Sequence, residues 1–295
     1  MNNFCKNILQ IVHNFLNNDS SNTVNEFRQC SRYLSIIIGT LQYSNMCIDI
    51  SKLNNFFIEK YKISKIKNVS FTNQLLCLTK DNKIENLQIK KLELNSDFNI
   101  CLKIKFPSKL ESLIIGNGFN KLIKKRLFPE SLKELSFGHC YNAHLKENIL
   151  PISLEILKFG NCFNQYINFI NLTSLKVLIF GDKFNKTLNE NLLPKSLEVL
   201  VFGYKFNKYI DNIGLMPKLE KLIFGDNFNK YVDATKIPKV KCLEFGRCFN
   251  QDIDNIILMP MLETLELPFK YHFYPKDITN KNLIIRYGRN YTYNM

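Results

Sequence analysis

The sequence predicts an α+β chain: a small N-terminal helical module followed by a solenoid in which every turn contributes one short strand. Three observations carry this. A block of 21 or 22 residues recurs, with glycines at Gly116, Gly138, Gly160, Gly181, Gly203, Gly225 and Gly246 in steps of 22, 22, 21, 22, 22 and 21. Within each block the apolar residues alternate over only a few positions, as in a short strand. Helical apolar spacing, by contrast, is found near the N-terminus, among residues 7–38. A fixed period of this length means units that bury their apolar faces against their neighbours.

The N-terminal element comes first. Ile8, Ile11, Val12, Phe15 and Leu16 follow helical spacing on one face. Asp19, Ser20 and Ser21 interrupt it and supply capping residues for a second helix through Val24, Phe27 and Tyr33 or Leu34. A short apolar run, Ile36–Leu41, completes a small bundle. Residues 42–87 connect this module to the repeats, and Ile66, Val69 and Phe71 suggest an early degenerate strand.

Each repeat then reads L-x-x-L-x-F-G-x-x-F-N-x-x-I, as in Ser153–Ile167 and Ser196–Ile210. The apolar residues at positions 1, 4 and 6 include Leu154, Leu157 and Phe159, and later Leu197, Leu200 and Phe202. Positions 4 and 6 share one strand face. Glycine at position 7 predicts a sharp turn or a positive φ. The Phe-Asn pair that follows, from Phe98-Asn99 to Phe249-Asn250 with Tyr141-Asn142 as a conservative departure, predicts an aromatic spine. Its Asn is expected to bond the buried backbone of its own turn and of the next. Prolines such as Pro129, Pro151 and Pro194 bound the approach to each strand, with Thr173 replacing one. About 15 residues remain for the return. That is too few for a full helix, so extended or single-turn segments are expected.

Positions 3 and 5 should project from the open face of the strands. There Ile156, Val177, Ile179, Val199, Val201 and Ile223 gather in the middle repeats, with charged residues towards both ends. An apolar patch with a polar rim is the anatomy of an interaction site; β-branched residues also suit strands for their own sake. After the Phe-Asn pair run Lys186, Lys208 and Lys230 beside Tyr166, Tyr209 and Tyr231. Such a ladder either tracks phosphates or forms a solvated rim, and without an Arg cluster or base-reading motif the solvated rim is favoured.

Composition bounds the rest. Of the 295 residues, 45% are hydrophobic and 24 are Phe, enough for a folded core. The net charge of +14 favours acidic surfaces as partners. Nine cysteines without paired spacing, and no secretory leader, suit a reducing, cytoplasmic location. No apolar run is long enough to span a membrane. His139, Cys140, His144 and Cys162 are metal-ligand types, but their spacing matches no zinc site. No phosphate loop, nucleophile elbow or other catalytic signature is present, so neither an enzyme nor a cofactor is expected.

The motifs F-N-x-x-I and L-P-x-S-L-x-x-L-x-F-G resemble the FNIP repeat, a relative of leucine-rich repeats found in slime moulds and giant DNA viruses. The resemblance covers roughly residues 88–270 and implies a leucine-rich-repeat-like solenoid with a curved parallel β-sheet and no catalytic residues. Asn95 replaces the glycine of the first unit and Pro268 that of the last, as suits end caps, with residues 271–295 closing the stack around Tyr287-Gly288. Residues 1–41 resemble an F-box through Ile8, Leu9, Val12, Leu16, Asp19 and Ser31-Arg32, with Leu34 where a Trp is common. The other reading is a helical cap on the solenoid. The F-box resemblance implies that Ile8, Leu9, Val12, Leu16 and Leu34 face the Skp adaptor of a cullin-based ubiquitin ligase while the solenoid holds a protein target, in the host cytoplasm if the protein is viral. The alternative is a stand-alone scaffold for a protein or nucleic acid, of which nucleic acid is the less expected.

Overall fold

Strands three or four residues long recur once per repeat because each repeat offers one alternating apolar stretch between turn residues. In the computed structural model, residues 68–71, 90–94, 96, 99, 101–102, 105–189, 192–210, 214–273 and 282–288 are described. The strands are β1 (Asn68–Phe71), β2 (Lys91–Leu94), β3 (Ser112–Ile114), β4 (Glu134–Ser136), β5 (Ile156–Lys158) and β6 (Val177–Ile179). Then follow β7 (Val199–Val201), β8 (Lys221–Ile223), β9 (Cys242–Glu244), β10 (Thr264–Leu267) and β11 (Ile284–Tyr287). They form one sheet in sequence order, β1 to β11, and every neighbouring pair is parallel.

The α+β expectation is therefore corrected. The described residues form an all-parallel β-solenoid whose one helical element is a 3-10 turn, Ala234–Lys236, with Asp233 as its N-cap. Among the described residues no helical module is seen, and residues 1–41, over which it is expected, lie outside them. Helical spacing over a run as short as Ile8–Leu16 is a weak determinant, because a helix of that length is marginal without packing. Ile8, Leu9, Val12, Leu16 and Leu34 lie outside the described residues.

In β3–β10 a leucine at the second strand position points inward. Leu113, Leu135, Leu157, Leu178, Leu200, Leu222, Leu243 and Leu265 have no exposed surface. Behind them run two aromatic ladders. Phe202 and Phe206 lie 3.8 Å apart between ring centres within one turn. Phe202 stacks on Phe224 at 5.6 Å and Phe206 on Phe228 at 6.1 Å, one turn on. The rings are nearly parallel, and burying each stabilises by about 1.5–3 kcal/mol. A solenoid unit gains this only from its neighbours, so the core is continuous along the stack.

Glycine at position 7 answers a different demand from the one expected. Among the described glycines only Gly214 and Gly288 have positive φ. At Gly138, Gly160, Gly181, Gly203, Gly225 and Gly246 a β-carbon would run into the backbone of the glycine one turn earlier. Successive turns stack backbone on backbone here, and only a residue without a side chain permits the approach. Each glycine carbonyl also accepts the N–H of the following ladder aromatic, as in Phe206 to Gly203 at 3.3 Å.

A sheet face and a turn rim

The Asn of each Phe-Asn pair bolts one turn to the next. Its side-chain oxygen accepts the backbone N–H of the following turn's Asn, from Asn99 to Asn120 at 3.0 Å through Asn229 to Asn250 at 2.9 Å. Asn120, Asn142, Asn164, Asn185 and Asn207 fill the interval. A second ladder was not legible as such. Ser131, Ser153 and Ser196 donate their hydroxyls to the carbonyls of Leu110, Leu132 and Leu175 at 2.7–2.8 Å. Its signal is the Ser that precedes the first Leu of the repeat.

With the turns fixed in this way, strand register decides which side chains meet. Ile156 sits beside Val177, and Val177 beside Val199. Ile179 sits beside Val201, and Val201 beside Ile223. All six are half-buried on the open sheet face, opposite the leucine core. The structure thus brings Ile156, Val177, Ile179, Val199, Val201 and Ile223 into one contiguous block.

Ion pairs flank the block. On one side Lys158 Nζ meets Glu134 Oε1 at 3.0 Å, and Ser112 donates to the same carboxylate at 3.2 Å. On the other, Lys221 Nζ meets Glu244 Oε1 at 2.9 Å. Burial would raise the Glu134 carboxyl, but its hydrogen bonds and the Lys158 charge outweigh that and hold it below the ordinary range. The bond to Glu244 raises the Lys221 ammonium. Burial pushes the neighbouring Cys242 thiol up, which makes it a poor nucleophile.

The second surface is the rim formed by the turns that follow the strands. Lys186 Nζ lies 4.8 Å from the centre of the Tyr166 ring, and Lys230 Nζ 5.1 Å from that of Tyr209, each reaching back towards an earlier turn. Tyr166, Tyr204, Tyr209 and Tyr231 are exposed. On the same rim His139, His144 and Cys140 are exposed and Cys162 is half-buried, with Lys183 Nζ 3.7 Å from its sulfur. Among the described residues, no three metal-ligand side chains converge. Nor is any helix among them long and apolar enough to cross a membrane.

Comparison with known proteins agrees with this geometry. Residues 119–162, 141–183, 163–205 and 184–227 match the model of the FNIP repeat, so this stretch consists of FNIP repeats. A crystal structure described as "CroV588 a novel circular LRR protein structure" is similar at 32% identity and a TM-score of 0.60, covering 77% of this chain. The chain spans 37% of the length of that protein. An internalin, InlF, from Listeria monocytogenes superposes with a TM-score of 0.50 over 80% of this chain and 76% of its own, at 16% identity, and shows the fold alone. No curated protein sequence matches.

Proposed function

We propose that the chain is a protein-interaction scaffold whose partner seats on the β5–β8 face, across Ile156, Val177, Ile179, Val199, Val201 and Ile223. The observation that carries this is the in-register aliphatic block flanked on both sides by ion pairs, which reproduces the apolar centre and polar rim of an interface. Strand propensity alone does not demand it. At equivalent positions β4 carries Glu134 and Ser136, and β9 carries Cys242 and Glu244, in the same fold. A leucine-rich-repeat-like solenoid is typical of interaction proteins.

Introducing charge at the centre tests the reading. A Val177→Asp, Val199→Asp variant should keep its circular dichroism spectrum and lose the binding partner identified with the wild-type chain. Undiminished capture of that partner would exclude the face. A tie to a cullin ligase through Ile8, Leu9, Val12, Leu16 and Leu34 has its support in the N-terminal sequence alone. Its test is a pull-down: the full-length chain should capture the Skp adaptor and a chain lacking residues 1–41 should not. Capture by neither leaves the stand-alone scaffold.

A further inference from the structure

Charge is sorted between the two surfaces. Positions 2, 3 and 5 of the repeats containing β3–β10 hold five Lys against eight Glu. Many of these are paired, as in Lys176–Glu155 at 2.8 Å and Lys241–Glu220 at 3.2 Å. The six-residue turns after β3–β9 invert the balance, with seven Lys or Arg against three Asp. All three Asp are occupied locally: Asp182 accepts the backbone N–H of Tyr204, Asp226 pairs with Arg247 at 3.4 Å, and Asp252 accepts the backbone N–H of Asp254 at 2.7 Å.

Lys183, Lys186, Lys205, Lys208 and Lys230 therefore stand on three consecutive turns, and among the described residues none of them takes part in an ion pair. With strands about 4.8 Å apart, they span roughly 10–15 Å along the stack. Interleaved with them are Tyr166, 64% exposed, and Tyr209, 56% exposed, each with a Lys ammonium over one face of its ring.

We infer that this rim binds a single-stranded nucleic acid. The Lys ladder follows the phosphodiester backbone, and the exposed Tyr rings accept stacked bases on the face away from the ammonium. The pairing of positive charge with an exposed ring, at Lys186 with Tyr166 and again two turns on at Lys230 with Tyr209, selects this ligand over an acidic peptide, which would need the charge and not the rings. Recognition is sequence-tolerant, since phosphate contacts and ring stacking do not distinguish one base from another. The rim is a different surface from the β5–β8 face, so it stands or falls apart from the protein-binding reading.

The test is fluorescence anisotropy of a labelled 20-nucleotide oligo-dT with the full chain, titrated with salt. Contacts from five Lys predict a slope of log K against log salt of about −3.5, and a Lys186→Gln, Lys208→Gln, Lys230→Gln variant about −1.4. Tyr166→Ala and Tyr209→Ala should each weaken binding about tenfold with the slope unchanged. Circular dichroism confirms that each variant is folded. Absence of binding at 50 mM salt would overturn the inference. So would poly-glutamate binding as tightly as oligo-dT with no effect of the Tyr substitutions, which would assign the rim to acidic proteins.

Discussion

The side-chain oxygen of Asn185 accepts the backbone N–H of Asn207 at 3.0 Å, one turn further along the solenoid. The N–H of Asn185 is itself taken by Asn164 at 3.0 Å, so each link depends on the one before. Asn185→Ala leaves a part-buried N–H without its acceptor and should cost about 1–3 kcal/mol. Asn185→Asp keeps the oxygen and should cost less. Urea denaturation midpoints followed by circular dichroism compare the two.

Glycine at position 7 is required by space, and Gly214 by conformation. Gly203→Ala places a β-carbon against the backbone of Gly181 and should cost about 3 kcal/mol or more, since neither backbone can withdraw. Gly214, at φ 76° with open space around it, should cost only the left-handed penalty of about 1–2 kcal/mol when changed to Ala. Equal losses in thermal denaturation would refute this distinction.

Tyr141 occupies a Phe position in the ladder, stacked between Phe119 and Phe163 at 5.9 and 6.1 Å. Its hydroxyl is buried without a partner, and burial raises the phenol far above its ordinary range. Tyr141→Phe should therefore stabilise the protein, by about 1 kcal/mol. A lower denaturation midpoint for the variant would mean that the hydroxyl is satisfied in solution.

The Glu134–Lys158 pair gives a pH signature. A carboxyl held below its ordinary value in the folded state contributes stability that is present above pH 4.5. That stability is lost as pH falls through the folded value. Because the pair is partly exposed, the contribution should lie within about 1 kcal/mol. Glu134→Gln should flatten this part of the stability profile below pH 4.5 and leave the profile above it parallel to wild type.

Much of the solenoid was legible because its determinants repeat. One Phe-Asn pair is ambiguous, but pairs 21–22 residues apart force each ring onto the next and each Asn beside the next. The six aliphatics of the sheet face were legible for the same reason, since the period fixes strand register. The reason for the glycines was not. A sequence shows that position 7 lacks a β-carbon, and not whether conformation or a neighbouring backbone requires it. The alternating ladder Glu111, Lys133, Glu155, Lys176, Glu198 also went unread, because alternation of charge appears only once the period is folded into columns. The α+β class was over-read from an N-terminal periodicity too short to set the class of the chain.

The most direct test of the central claim is photo-cross-linking in cells from a reactive amino acid placed at Val199, with Lys218 on an exposed turn as the control. The β5–β8 face predicts a discrete cross-linked protein from position 199 that is absent from position 218. Cross-linking from 218 alone, or equally from both positions, would contradict it.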